Sequence, residues 1–508
     1  MPEARFPSGT RLLFATIVVA TIALHARAIG FGFSYLDDDA LIVDGQQALA
    51  PPAGVWRAFA RPYFPPASAS SSARDHAYYR PLVTASYSLD AALSGARPGA
   101  YHATNVFITA IAAALLFLLL RRLGYGDGVA VFGGLLYAAH PALTETVAWI
   151  PGRPDGMLVL FALAAWLLLL RARDTRGWAS RGGHLLAWLA ALLSKEAALV
   201  LPLAYVGHLV VVERRPLRTV VQPWLLVGWA AVLAIYLGAR AAVLSADLGA
   251  GGVTAATGAS IPALVLRNLG KLALPVHLSV MATPEDCWIW PGAVAACALA
   301  AFAIAPGVRR ARVLFAAACF VAFVLPGAPA SAVLVLESRL ALPAIAFVLI
   351  ACEVAHRVGG PPRARLAGGA AMIVALAIVT FAYAGNFRDR LSFAEAAVRG
   401  SPHAALAHRN LGVTYHLAGQ IGPARDEYRA AIAADPREPI AHNNLAVMLM
   451  AEGRLPEAEA ELRAEIAVNP DYIVAHDNLA RVLRVLGRAG EASAEDAIVA
   501  RLRDATGR

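Results

Sequence analysis

Of the chain's 508 residues, 58% are hydrophobic and only 16% charged, well under the roughly 25% charged residues of soluble proteins. The net charge is +9, but the arginines behind it stand in short loops between apolar runs within residues 1–385, which is membrane topology rather than a nucleic-acid surface. Four cysteines, Cys287, Cys297, Cys319 and Cys352, form no CxxC pair and give no zinc or disulfide framework.

A lipid-crossing helix needs about 20 mostly apolar residues. Such runs fall near 11–30, 103–121, 128–147, 154–171, 183–195, 197–212, 219–243, 288–306, 311–327, 340–357 and 366–386, about eleven in all. The first follows basic residues and reads as a retained span. The stretch 183–212 reads as two short spans turning at Ser194-Lys195-Glu196, and 261–281 as an in-plane or partly inserted segment. Arginines mark every second loop: Arg121/Arg122, Arg171/Arg173/Arg176/Arg181, Arg214/Arg215/Arg218, Arg309/Arg310/Arg312 and Arg357/Arg363/Arg365. These loops are expected in the cytoplasm. The opposite set, 31–102, the turns near 148–153 and 194–196, 244–287, 328–339 and everything after the last span, then faces outward.

Directly after the first span come Asp37, Asp38 and Asp39. Three adjacent carboxylates raise one another's pKa, collect a divalent cation such as Mg or Mn, or are simply solvated. Tyr78-Tyr79-Arg80-Pro81-Leu82 and Tyr101-His102 follow in the same loop. The third span runs into a dense polar constellation, His140-Pro141-x-x-Thr144-Glu145-x-x-x-Trp149-x-x-Gly152-Arg153-Pro154-Asp155. Lys195-Glu196 interrupts a later apolar run, and Glu337-Ser338-Arg339 precedes the tenth span. Ionisable groups at membrane depth are costly and default to function. All of these fall on the outward set of loops, which points to one extracytoplasmic site. Lysine occurs only at Lys195 and Lys271, in a chain where arginine is the common base.

Residues 403–503 repeat with a period of 34. Ala407, Ala441 and Ala475 align, as do His408, His442 and His476, Asn410, Asn444 and Asn478, and Leu411, Leu445 and Leu479. Gly419, Gly453 and Gly487 mark the turn inside each unit, and Pro402, Pro436 and Pro470 mark the unit ends. This is the tetratricopeptide pattern: each helical hairpin buries its apolar face only by stacking on the next. Residues 393–402 read as the second helix of a partial leading repeat. The repeated His reads as a packing residue rather than a metal ligand. The expected architecture is all-α, a polytopic bundle over 1–386 with the outer loop 31–102, then a repeat solenoid over 387–508.

The run HPxxTExVAWxxGRxDxL, the acidic triplet, YRPL, the SKE turn and the late ExR together resemble the transmembrane and tetratricopeptide repeat O-mannosyltransferases and their bacterial relatives. That family belongs to the GT-C class of polyprenyl-phosphate-sugar-dependent glycosyltransferases. The resemblance implies transfer of a hexose, mannose first, from a polyprenyl-phosphate carrier to a hydroxyl on a protein or glycan acceptor, with inversion, outside a bacterial inner membrane. In such a reaction Asp37 or Asp38 is the expected general base, with Asp38 the first choice. Arg80, Arg153, Lys195 and Arg339 are candidates for the leaving phosphate. His102, His140, Glu145, Trp149, Asp155, Glu196 and Glu337 complete the candidate donor and acceptor site, and the repeats are placed to hold a polypeptide acceptor. Two other readings fit the bare residues: a non-catalytic membrane-anchored repeat scaffold, and a lipid-linked glycan transporter.

Overall fold

The computed structural model describes residues 8–34, 37–50, 53–64, 78–175, 177–244, 260–328 and 334–506. Arg176 and parts of the expected outer loops 31–102, 244–287 and 328–339 lie outside that set. The chain divides into two compact units, Met1–Asp389 and Arg390–Arg508, and among the described residues every regular element is a helix. Hydrocarbon offers no hydrogen bonds, so a chain this apolar satisfies its backbone internally.

In the first unit the principal helices are α1 (Ser8–His25), α2 (Pro81–Ser94), α3 (Pro98–Arg122), α4 (Asp127–Ala139), α5 (Arg153–Thr175), α6 (Trp178–Ser194), α7 (Glu196–Val212), α8 (Pro223–Leu244), α9 (Ile261–Ala273), α10 (Trp290–Ile304), α11 (Arg310–Val324), α12 (Ala341–Arg357) and α13 (Pro362–Ala384). Seven stretches are long and apolar enough to cross a membrane, and α4, α7 and α10 are shorter apolar helices. The protein is an integral membrane protein. Each of the eleven apolar runs coincides with a helix, with one revision: the run 128–147 stops at Ala139, where Pro141 removes a backbone donor. The carbonyls this break would orphan are taken by side chains. His25 Nε2 donates to Ala138 O at 3.0 Å and Thr380 Oγ1 to Ala139 O at 2.7 Å. Two lipid-facing helices, α1 and α13, thus pin the end of α4.

Burial separates inner from outer helices. In the most apolar 18-residue windows of Ile150–Thr175 and Glu337–Arg357, 67% of the residues are buried, whereas in that of Pro362–Phe387 only 6% are, and this helix presents its apolar surface to lipid. The core is built from Leu116, Phe117 and Leu120 of α3, Leu163, Trp166 and Leu170 of α5, and Ile345 and Leu349 of α12. The expected in-plane segment contains α9, packed through Leu264 in its first turn and through Leu269 and Leu272 in its C-terminal half. It crosses α10 so closely that a Cβ on Gly292 would stand 1.8 Å from Leu266 O. Only glycine fits there.

The second unit holds α14 (Arg390–Gly400) and three helical hairpins, α15 (Ala405–Leu417) with α16 (Ile421–Ala434), α17 (Ala441–Ala451) with α18 (Leu455–Val468), and α19 (Ile473–Val485) with α20 (Ala489–Thr506). The first helix of each hairpin ends on Gly419, Gly453 or Gly487, with φ of +74°, +76° and +77°, the left-handed conformation of a helix C-terminal stop. Each repeated His is a strut. His408, His442 and His476 donate through Nδ1 to Glu427, Glu461 and Glu495 at 2.7, 2.6 and 2.6 Å. Through Nε2 they donate to the carbonyls of Pro402, Pro436 and Pro470.

Candidate active site

The break in α4 creates the scaffold of the site. Residues 140–152 form three short turns, Pro141–Leu143, Thr144–Ala148 and Ile150–Gly152, all buried between α4 and α5. His140 fixes the first turn: Nε2 donates to Leu272 O at 2.8 Å and Nδ1 accepts the Ala142 N–H at 3.3 Å. Burial lowers its pKa to about 4, against the opposing Leu272 bond, which agrees with a neutral Nε2–H ring. His140 therefore binds backbone on both nitrogens. Trp149 is buried at 5% exposure, and its carbonyl accepts from Asn105 Nδ2 at 3.1 Å.

Arg153 opens α5 and is 1% exposed. Its Nε donates to Asn105 Oδ1 at 2.7 Å, Nη1 to Ser86 Oγ at 2.9 Å and Nη2 to Tyr101 O at 2.8 Å. Nη2 also pairs with Asp90 Oδ2 at 2.6 Å, and the guanidinium lies 4.4 Å from the Tyr87 ring centroid. The sequence offers Arg153 as a phosphate ligand; the structure gives it four in-chain partners that lock α2, α3 and α5 together. His102 is a second such tie. Buried at 1% exposure, it donates through Nε2 to Gly32 O at 3.2 Å, anchoring the chain just before the acidic triplet to α3.

The remaining cations converge. Arg80, at the start of α2, makes a two-point pair with Glu196, Nε to Oε2 at 3.2 Å and Nη2 to Oε1 at 2.7 Å. Burial opposes the charge on Arg80, but the Glu196 carboxylate outweighs it and raises the pKa. Lys195, at the end of α6, grips Asp155 through both oxygens at 2.7 and 2.6 Å. Its pKa is lowered by burial, with Asp155 acting against that shift. Arg339 lies within electrostatic reach of Asp155, Tyr78, Glu145 and Arg80. Residues far apart in sequence, 80, 155, 195–196 and 339, thus form one charge cluster at the ends of five helical segments. Its pairs are not sealed: the Arg80 side chain is 12% exposed and that of Glu196 33%.

Aromatic rings join this cluster to the acidic triplet. Arg80 lies over Tyr63 and Tyr78, 5.3 and 4.4 Å from their centroids. Tyr63 in turn feels Asp37, and Tyr87 feels both Asp37 and Asp38. The triplet is not uniform. Asp38 is 1% exposed, and its Oδ2 accepts the N–H and hydroxyl of Ser34 at 2.7 and 2.8 Å. Asp37 and Asp39 are half-buried. Among the described residues no three His, Cys, Asp or Glu side chains gather in a metal-holding group.

A second buried cluster stands behind Arg339. Glu145 is fully buried, and its Oε2 accepts the backbone N–H groups of Glu337 and Ser338 at 2.7 and 2.9 Å. It therefore caps the turn Glu337–Leu340 that carries Arg339. Burial, and then the charge of Glu337, raise the Glu145 pKa to about 7. Glu337 accepts from Ser279 N and from the Tyr383 hydroxyl, both at 2.9 Å, and stands 3.5 Å from Lys271 Nζ. Lys271, Asp90, Tyr63 and Tyr383 are members of these networks that carry no motif of their own. For Lys271 the signal was its rarity, since a lysine kept among arginines marks a site that fits an ammonium.

Residues 75–239 match the family described as dolichyl-phosphate-mannose-protein mannosyltransferase, PMT_2. Over that stretch the chain is similar to the PMT-like mannosyltransferases. The matched stretch contains Arg80, His102, the whole 140–155 run and the Lys195-Glu196 turn, while Asp37, Asp38, Glu337 and Arg339 lie outside it. The chain is 31% identical over 206 residues to human protein O-mannosyl-transferase TMTC2, covering 39% of this chain and 24% of that protein. The protein O-mannosyl-transferase Tmtc1 of Drosophila melanogaster is 31% identical over 206 residues, 39% of this chain and 23% of its own length. Human protein O-mannosyl-transferase TMTC3 is 30% identical over 159 residues, 31% of this chain and 17% of its own. The aligned part is thus about a quarter or less of these curated relatives.

Proposed function

We propose that the membrane unit is a glycosyltransferase that moves a hexose, mannose by kinship, from a polyprenyl-phosphate carrier to a hydroxyl acceptor on protein. The reaction takes place at the extracytoplasmic face of a bacterial inner membrane. The observation that carries this reading is the convergence of Arg80, Lys195 and Arg339 beside an acidic loop. Breaking a glycosyl–phosphate bond leaves negative charge on the carrier, and fixed cations at a helix-end cleft stabilise it. The acceptor hydroxyl must lose a proton as its oxygen attacks the anomeric carbon, and a carboxylate within reach takes it. Attack opposite the phosphate inverts that carbon.

Between the two candidate bases, geometry favours Asp37. Asp38 is buried on Ser34, which suits holding the loop, whereas Asp37 is half-buried beside the Tyr63–Arg80 group. Glu145 and Glu337 position the turn that carries Arg339, and Asp155 and Glu196 hold the cations in place. Trp149 and His140 support the scaffold from behind. The repeat unit, on the outer side, holds a polypeptide acceptor and raises its local concentration.

The test is purified protein in nanodiscs with polyprenyl-phosphate mannose and an acceptor peptide, following carrier phosphate released. Asp37→Asn abolishes transfer while carrier binding persists. Asp38→Asn retains part of the activity, because an amide oxygen still accepts from Ser34. Full turnover by Asp37→Asn removes the base assignment. No turnover by the wild type with any polyprenyl-phosphate sugar removes the transferase reading. Deleting 403–508 is expected to weaken peptide use more than donor hydrolysis.

A further inference from the structure

At the far ends of the same helices lies a second charged site that the transfer reaction does not use. Helix α3, 25 residues long or about 37 Å at 1.5 Å per residue, carries His102 in its first turns and Arg122 at its last residue. Around that far end, Leu123, Tyr125, His208, Val212, Arg312, Phe315 and Leu349 enclose a cavity of about 10 Å³, room for roughly one oxygen-sized group. His208 is 2% exposed, and among the described residues its Nδ1 has no hydrogen-bond partner. It is held edge-on by Trp166 and tilted against Phe315.

Charge around this cavity does not balance. Arg312, Arg122 and Arg173 all act electrostatically on His208, and Arg309 and Arg312 both lie over the Tyr125 ring, at 5.1 and 5.2 Å. Arg309 and Arg312 share one carboxylate, Glu353, at 2.8 and 3.7 Å. Arg122 pairs with the exposed Asp174. Among the described residues Arg173 has no carboxylate partner, and a buried N–H of Arg309, on Nη2, has no acceptor. Four cations therefore face two carboxylates. A buried donor without an acceptor is costly, and two surplus positive charges around a one-oxygen cavity call for an anion whose one oxygen enters while the rest stays at the mouth.

We infer that this cavity, lined by His208 and Arg312 with Arg122, Arg173 and Arg309 around it, is a binding site for a phosphoryl oxyanion. On the arginine-rich side of a membrane two sources share that chemistry, an anionic phospholipid headgroup and free phosphate. Basic pockets between membrane helices on that side suit headgroups in particular. The site stands apart from the proposed transfer reaction and survives its failure.

The experiment uses the full chain in detergent and in nanodiscs, with thermal stability and native mass spectrometry as readouts. The probes are phosphatidylglycerol, phosphatidylcholine and inorganic phosphate. The inference expects retained phosphatidylglycerol and a raised melting temperature relative to phosphatidylcholine. Arg312→Gln and, separately, the milder Arg173→Gln each weaken that binding about fivefold. Arg365→Gln, an exposed arginine of the same face but outside the cluster, leaves it unchanged. Stabilisation by inorganic phosphate in a phosphatidylcholine background, lost in the same two variants, identifies the ligand as a free oxyanion at the same site. Equal binding of both lipids with no phosphate effect, or equal losses in Arg365→Gln and Arg173→Gln, overturns the inference and leaves the cavity to water. The wild-type lipid comparison needs no variant, so misfolding of Arg312→Gln does not obscure the outcome.

Discussion

Replacing Arg153 by Met separates two readings of the most specific motif in the chain. As a phosphate ligand, Arg153 would matter for turnover and little for folding. The structure puts its guanidinium, 0% exposed, against Asp90, 4% exposed, with Asn105, Ser86 and the Tyr101 carbonyl taking its other donors. Methionine fills similar volume but leaves Asp90 as a buried charge and three acceptors without their donor. Breaking one side of a buried pair typically costs about 3–5 kcal/mol. Each further unmet acceptor adds about 1 kcal/mol at most beyond that, and not additively. The expected destabilisation is about 3–5 kcal/mol, read as lower thermal and protease resistance in detergent. Removing the orphaned charge as well, in Arg153→Met/Asp90→Leu, is expected to recover about 2 kcal/mol, the coupling of a contacting pair. Carrier-phosphate release per folded molecule stays near the wild-type rate. A variant that melts like the wild type but no longer releases phosphate refutes this and returns Arg153 to the substrate.

Three further outcomes are expected. Glu145 has a pKa raised from 4.5 to about 7 by burial, so its contribution to stability is complete below about pH 4.5 and is lost as pH rises through 7; thermal stability of the membrane unit falls over that window, and Glu145→Gln flattens the slope. In the repeat unit, His408 and His442 have raised pKa values, foremost through their bonds to Glu427 and Glu461. Their contribution is complete below about pH 6.5 and disappears as pH climbs past the folded values, so amide protection factors in α15–α18 of the full chain, taken relative to intrinsic exchange, fall on the alkaline side, and His408→Gln with His442→Gln removes that fall. Finally, Glu196→Gln frees Arg80 from its carboxylate: KM for the carrier is expected to fall and kcat to fall with it, because ground-state binding gains more than the leaving state; unchanged KM and kcat together show that the Arg80–Glu196 pair does not touch the carrier.

Periodicity made much of this architecture legible. Spans announce themselves because lipid demands about 20 apolar residues, and a 34-residue helical hairpin must repeat its packing residues. Gly419, Gly453 and Gly487 were visible as turn markers because a left-handed stop excludes most side chains. The strut of each repeat was half visible: the His recurs, but its partners Glu427, Glu461 and Glu495 lie 19 residues on and recur just as regularly. What sequence could not supply was partnership. Arg80, Arg153, Lys195 and Arg339 look alike as cations at span ends. Only coordinates divide them into one guanidinium sealed among Asp90, Asn105, Ser86 and Tyr101 and three cations gathered around Asp155, Glu196 and Glu145. The role of Glu145 was likewise hidden, since its partners are the backbone N–H groups of Glu337 and Ser338, some 190 residues away.

The resting ion pairs bear on how such a site works in the proposed transfer. Arg80 and Lys195 are already neutralised by Glu196 and Asp155, so an arriving carrier does not find bare cations. At an effective dielectric of about 20, a pair at 4 Å is worth about 4 kcal/mol, and a singly charged phosphodiester oxygen gains little by displacing a carboxylate of equal charge. The balance changes when the glycosyl bond breaks and the phosphate acquires a second negative charge. The carboxylates then lose the competition, and the cations move toward the leaving group. An arrangement of this kind stabilises the departing phosphate more than the bound carrier, which is the condition for accelerating the chemical step rather than merely holding substrate. It also argues against a transporter reading, because a carrier that must be released intact on the far side gains nothing from cations tuned to its cleaved form. The charges here gather at helix ends, as in the Lys195–Asp155 and Arg80–Glu196 pairs, rather than at the midplane where transporters bind their cargo.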